Sequence, residues 1–154
     1  MSEVTSQSLP LCPVPTCSNM RLLLFSIRRM AAGGLTDAFA VNALMADFGM
    51  SFRRPLLLLR ALMAEMARAS QNQIAVAPCC CGRATPAEAE ILLVIATAND
   101  RPRFAHARLC QLLGIEHGLG ALSSAQAVAQ AFADLGRPLS AQSVVVSDPA
   151  FPID

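Results

Sequence analysis

Three consecutive cysteines, Cys79, Cys80 and Cys81, stand between a proline and a glycine in "APCCCGRATPAE". They are the densest chemistry in the chain. Thiols of this kind can ligate a soft metal, act as nucleophiles or pack as small hydrophobes. Downstream, His106 and Cys110 lie four residues apart, and His117 follows shortly after. The four-residue spacing puts His106 and Cys110 on one face of a helix. Cys12 and Cys17 complete the set of 6 cysteines.

Each reading of the triple cysteine makes its own demand. Zinc needs about four nitrogen or sulfur ligands. If the helices on either side of Asp100 form an antiparallel hairpin, Cys110 falls opposite Glu90, one turn inside the end that carries the cysteine loop. His106 then sits about 6 Å further away, and His117 returns to the loop's end. The expected metal set is therefore Cys79, Cys81, Cys110 and His117, with zinc as the metal. An extended loop would also turn Cys79 and Cys81 one way and Cys80 the other. A reactive thiol instead calls for Cys80 or Cys81 to face the helix that begins at Thr85, with Arg83 adjacent. Plain packing of sulfur in a core asks for neither partner nor cation.

The elements that must position these residues read as helices. "SNMRLLLFSIRRMAAGG" starts at Ser18 or Asn19 and stops at Gly33–Gly34. "LTDAFAVNALMADFG" has Thr36 as the expected N-cap and Gly49 as its stop. In "FRRPLLLLRALMAEMARAS", Leu58, Leu59, Leu62, Met63 and Met66 share one face at the helical period. "QNQIAVAP" breaks that pattern, and Ile74 and Val76 suit a short extended segment or a single strand. "TPAE" then predicts a capping box: Thr85 as N-cap, Pro86 at the first helical position and Glu88 reaching back. Two more helices follow, "RPRFAHARLCQLLG" capped by Asp100, and "SSAQAVAQAFADLG" with a second capping box from Ser123 and Gln126. The expected fold class is all-α: a compact bundle of about six short helices with the cysteine loop between the third and fourth. The helical domain is expected over residues 20–139. A flexible tail is expected over 1–19, holding Cys12 and Cys17, and a loosely held one over 140–154.

Composition narrows the function. The chain has 154 residues, 54% of them hydrophobic and 15% charged, with a net charge of +1. That suffices for one well-filled core. All 12 basic residues are Arg, and a charge this close to neutral gives no long-range pull on nucleic acid or acidic lipid. The longest apolar runs fall far below the ~18 residues of a membrane span. No signal-peptide pattern precedes the first helix, so a cytoplasmic protein with reduced thiols is expected. No glycine-rich phosphate loop, GxSxG or HExxH occurs. Met45, Met50, Met63 and Met66 suit a core, or else an adaptable partner groove. "ADFG…RRPL" and "ADLGRPL" echo each other but read as two ordinary helix stops.

Three helices run from Thr85 onward, and the first loosely resembles the opening helix of the LuxR-type helix-turn-helix. Its would-be reading helix, Ser124–Leu135, has no Arg and offers only Gln126 and Gln130 to base edges. The chain from Arg21 to Leu139, through "APCCC" and "ALSSAQAVAQAFADLGRPL", is also similar to small uncharacterised bacterial proteins of a domain-of-unknown-function family. That resemblance implies no activity. The expectation is a non-catalytic helical module acting through a protein partner or self-association, with a cysteine-based metal or redox element. A helix-turn-helix regulator is the alternative, and a thiol-dependent enzyme the third reading.

Overall fold

In the computed structural model, residues 11–144 are described. Six α-helices carry the architecture: α1 (Ser18–Gly33), α2 (Ala38–Phe48), α3 (Arg53–Ala69), α4 (Pro86–Thr97), α5 (Pro102–Leu113) and α6 (Leu119–Asp134). Single 3-10 turns follow α2 and α6. Two strands of two residues each, β1 (Cys12–Pro13) and β2 (Arg83–Ala84), pair antiparallel with Cys12 opposite Ala84. The fold is all-α, with the cysteine loop between α3 and α4 as expected. Of the two forms that their alternation allows, Ile74 and Val76 do not take the strand; residues 73–78 hold no regular element. Alternation over so few residues does not supply a strand partner.

The core runs through the whole set of helices. Leu23, Ile27, Leu59, Leu62, Leu92, Ile95, Leu109, Leu113 and Phe132 are all essentially inaccessible. Helix α6 packs along α3, α4 along α5, and α1 bridges α2, α3 and α4. Glu90 and Arg108 lie nearly equidistant from the turn between α4 and α5, and the Arg108 Nε donates to Glu90 at 2.7 Å. The hairpin therefore has the register that its turn implies. On α3 the expected apolar face is inward, with Leu59, Leu62 and Met66 buried.

Several helix starts differ from expectation. Asp37, not Thr36, caps α2, accepting from the Ala40 N–H at 3.0 Å. Arg101 precedes α5 without a side-chain cap, so Asp100 does not serve there. Helix α6 begins at Leu119 after Gly118, which leaves Ser123 inside the helix and removes the second capping box. The Ser and Gln spacing was right, but the helix extends a full turn upstream of it. Residues 11–17 are also not a loose tail. Cys12 is 2% exposed and lies in a small cluster with Ala84 and Ala89, while Cys17 packs on the main core. Within the expected C-terminal tail, Val144 packs against both clusters; residues 145–154 lie outside the described residues.

The two echoed motifs meet. Arg137 of "ADLGRPL" donates to the Asp47 carboxylate at 3.1 Å and to the Asp47 carbonyl. Reciprocally, Arg54 of "RRPL" pairs with Asp134 at 2.8 Å. Phe48 and Phe132 meet edge to face at 5.0 Å between them. Each motif does stop its helix, at Gly49 and Gly136 with positive φ, and each supplies the charge that the other needs. This clasp ties the end of α2 to the end of α6.

Candidate functional site

The cysteine loop sits on a buried ionic pedestal. Thr85 accepts from the Glu88 N–H at 3.0 Å, and Glu88 accepts from the Thr85 N–H at 2.8 Å, closing a capping box. The Thr85 hydroxyl also donates to the Ala75 carbonyl at 2.7 Å. Glu88 has a second task. Its carboxylate takes a bidentate contact from Arg28 of α1, at 2.7 and 3.1 Å. Both side chains are nearly inaccessible, at 4% for Arg28 and 0% for Glu88. The same guanidinium donates to the Cys81 carbonyl at 2.9 Å and the Arg83 carbonyl at 2.7 Å. Glu88 hydrogen-bonds Arg28 and keeps it firmly charged, against the opposing pull of burial. Arg28 thus ties α1, α4 and the loop backbone together.

Above this pedestal the loop is turned rather than extended. The Cys81 N–H donates to the Pro78 carbonyl at 3.0 Å, so Cys79 and Cys80 occupy the two central positions of a β-turn. Both are exposed, and Cys81 is half-buried. Cys79 and Cys81 nonetheless line one cleft of about 330 Å³ together with Val14, Arg21, Leu24, Phe25, Arg28 and Gly82. Gly82 has no positive φ, and a Cβ there would meet open space. The turn is made by the Pro78–Cys81 hydrogen bond, not by glycine's freedom.

Arg29 reaches the loop from the side. Its Nη1 lies 3.8 Å from the Cys79 sulfur, and its other nitrogens grip the Asp37 carboxylate at 3.1 and 2.8 Å. Arg29 also stacks over Phe39, 4.6 Å from the ring centroid. The Arg29 guanidinium holds the Asp37 carboxyl below its ordinary value. A Cβ at Gly33 would collide with that carboxylate, and Gly34 takes φ +91°. The pair of glycines therefore lets α1 end directly against the start of α2.

The expected metal set is not assembled. No three His, Cys, Asp or Glu side chains among the described residues form a group that could hold a metal ion. Cys79 and Cys81 face the α1 arginines. Cys110 instead lies 3.4 Å from His106 Nε2, with Glu116's carbonyl 3.7 Å from its sulfur. His117 is exposed. His106 Nε2 accepts from the Gly118 N–H at 3.1 Å, so this imidazole satisfies the start of α6. Of the reactive-thiol pair, Cys80 is at the turn's corner and Cys81 has its carbonyl fixed by Arg28. Sequence reasoning missed Arg28, Arg29 and Asp37. Arg28 and Arg29 are adjacent in the sequence, but nothing local says that one of them turns inward.

A second surface feature is α2 itself. Nine of its eleven residues are apolar, yet only Ala40 and Leu44 are buried. At 100° per residue, Ala38, Phe39, Met45 and Ala46 share the outward arc, with the exposed Asn42 at its middle. Phe39 is 62% exposed, Met45 45%, and Met50 in the following turn 94%. Of the four methionines expected in a core, Met66 is buried and Met63 packs against the core. Met45 and Met50 are on the surface; α2 packs on α1 and, more lightly, on α3, and among the described residues its outward arc stays exposed.

A six-helix all-α domain with a thiol loop on a buried ionic pedestal is the class that this architecture defines. The model of a family of unknown function, DUF6628, matches residues 2–135. The chain belongs to that family. No curated protein and no solved structure matches it. Among the described residues, no helix is long and apolar enough to cross a membrane.

Proposed function

We propose that the protein is a cytoplasmic, non-catalytic helical module that works by protein–protein contact, with the outward face of α2 as its contact surface. The observation that carries this reading is the exposed apolar arc of Phe39, Met45 and Met50. Exposed apolar side chains gathered on one face, set among polar residues, mark interaction sites. Methionine suits such a surface because its flexible thioether adapts to a partner. The arc is held rigidly: Asp37 caps one end of α2, and the Asp47–Arg137 clasp secures the other. Arg29, stacked on Phe39, joins the arc to the exposed thiols of the loop.

The helix-turn-helix alternative has less support. Gln126 donates to the Ala98 carbonyl at 3.0 Å and Gln130 to Asp134 at 2.7 Å, so both amides that could read bases are already engaged. Helix α6 also turns Ala125, Val128 and Phe132 into the core.

The test is sedimentation of the tagged chain in concentrated cell extract, beside a triple variant, Phe39→Ser, Met45→Ser and Met50→Ser. The native chain should travel in a species heavier than its own 16.3 kDa. The variant should travel as the free chain with its melting temperature retained, since exposed positions tolerate such changes. Two identical profiles at the mass of the free chain would refute the reading.

A further inference from the structure

We propose that the cleft beside α1 is a thiol–disulfide exchange site for small anionic disulfides, with Cys79 as nucleophile and Cys81 as the resolving thiol. This goes beyond the contact role of α2 and does not depend on it.

Four observations carry it. Cys79 is exposed, yet its sulfur is not adrift: the Arg29 guanidinium stands 3.8 Å away. A cation at that position compensates the charge of an attacking thiolate. Cys81 lines the same cleft, while Cys80 does not. The loop backbone is fixed from below by Arg28, which bonds the Cys81 and Arg83 carbonyls, so the two thiols keep their relation to the cleft.

The fourth observation is charge. Arg28 is fully engaged by Glu88, while Arg29 divides its guanidinium between Asp37 and the Cys79 sulfur. Arg21, at the cleft's wall, is exposed and makes no ion pair among the described residues. Among the described residues no carboxylate lines the cleft; Leu24, Phe25 and Val14 form its apolar side. The occupant that this lining fits is a short thiol compound with a free carboxylate for Arg21, met as its disulfide.

The chemistry closes on itself. The Cys79 thiolate attacks one sulfur of the small disulfide. A protein mixed disulfide forms, and the small molecule's own S–S bond breaks. One half leaves as thiolate and takes up the proton that Cys79 lost. The Cys81 thiolate then attacks the Cys79 sulfur and expels the second half, which is protonated in turn. The protein dithiol is oxidised to a disulfide, and the small disulfide is reduced to two thiols. A hydrogen-bonded turn keeps Cα atoms two residues apart within the span of about 4.4–6.8 Å that a disulfide needs.

The experiment uses the reduced full chain with three probes: oxidised glutathione, which is anionic, cystamine, which is cationic, and 2-hydroxyethyl disulfide, which is neutral. Intact-mass and peptide mapping follow the products over time. Oxidised glutathione should react faster than cystamine, first at Cys79, and the adduct should give way to a Cys79–Cys81 disulfide. Cys81→Ser should trap the mixed disulfide on Cys79. Arg21→Gln, at an exposed residue that pairs with no described carboxylate, should slow oxidised glutathione about fivefold, the size of an exposed charge contact. It should leave the neutral disulfide unchanged. First attack at Cys80 or Cys110, equal rates for anionic and cationic probes, or a Cys81→Ser protein that accumulates no Cys79 adduct would overturn the proposal.

Discussion

Glu88 illustrates how one side chain can hold two elements. It closes the capping box of α4 and neutralises a guanidinium from α1, and both contacts are out of water. A buried ion pair is worth little beside a well-packed apolar pair, but breaking one partner is costly because the other charge is stranded. Glu88→Gln should therefore destabilise the fold by about 3–5 kcal/mol. Thr85→Ala, which removes a cap and a hydroxyl bond but no charge, should cost only ~1 kcal/mol. Denaturant midpoints of the two variants check this, and equal small losses would mean that Arg28 finds water when Glu88 is gone. The capping box itself was legible from "TPAE", since cap and partner are three residues apart. The ion pair was not, because Arg28 and Glu88 are 60 residues apart and no local pattern joins them.

The elements were legible where their signals were local and repeated. The face of α3 and the stops at Gly34, Gly49 and Gly114 follow from period and punctuation. The start of α6 was misread because Ser123 and Gln126 imitate a cap inside a longer helix. The clasp between "ADFG" and "ADLG" needed the fold, since each motif alone looks like a helix stop. At this scale acid is informative. Asp37, Glu65 and Asp134 all have folded-state carboxyls held below their ordinary values, by Arg29, by Arg68, and by Gln130 with Arg54 respectively. Groups depressed in this way stabilise the fold above their ordinary range, and that contribution is lost as pH falls through the depressed values. Stability should then decline from about pH 4.5 downward. Asp37→Asn, which keeps a capping side chain, should flatten part of that decline in denaturant midpoints measured along a pH series. A slope unchanged by Asp37→Asn would show that the α1–α2 corner does not take part.

For the whole molecule, the six helices bury most of their apolar residues; Leu57 of α3 and Leu119 of α6 also stand exposed, and the α2 arc is where Phe39, Met45 and Met50 gather on one short segment. The sequence marks α2 as apolar at nine of eleven positions, which by itself reads as a core helix. Only the packing tells which half is covered. The thiol loop, the Arg29–Phe39 stack and the arc lie in continuity, so a partner seated on α2 would reach the edge of the cysteine loop. The most direct measurement is site-specific photo-crosslinking in living cells, with the photoreactive residue placed at Met45 and, as a control on the far side of the clasp, at exposed Gln130. The account predicts a discrete protein adduct from position 45 and none from position 130. No adduct at position 45, or the same adducts from both positions, would contradict it.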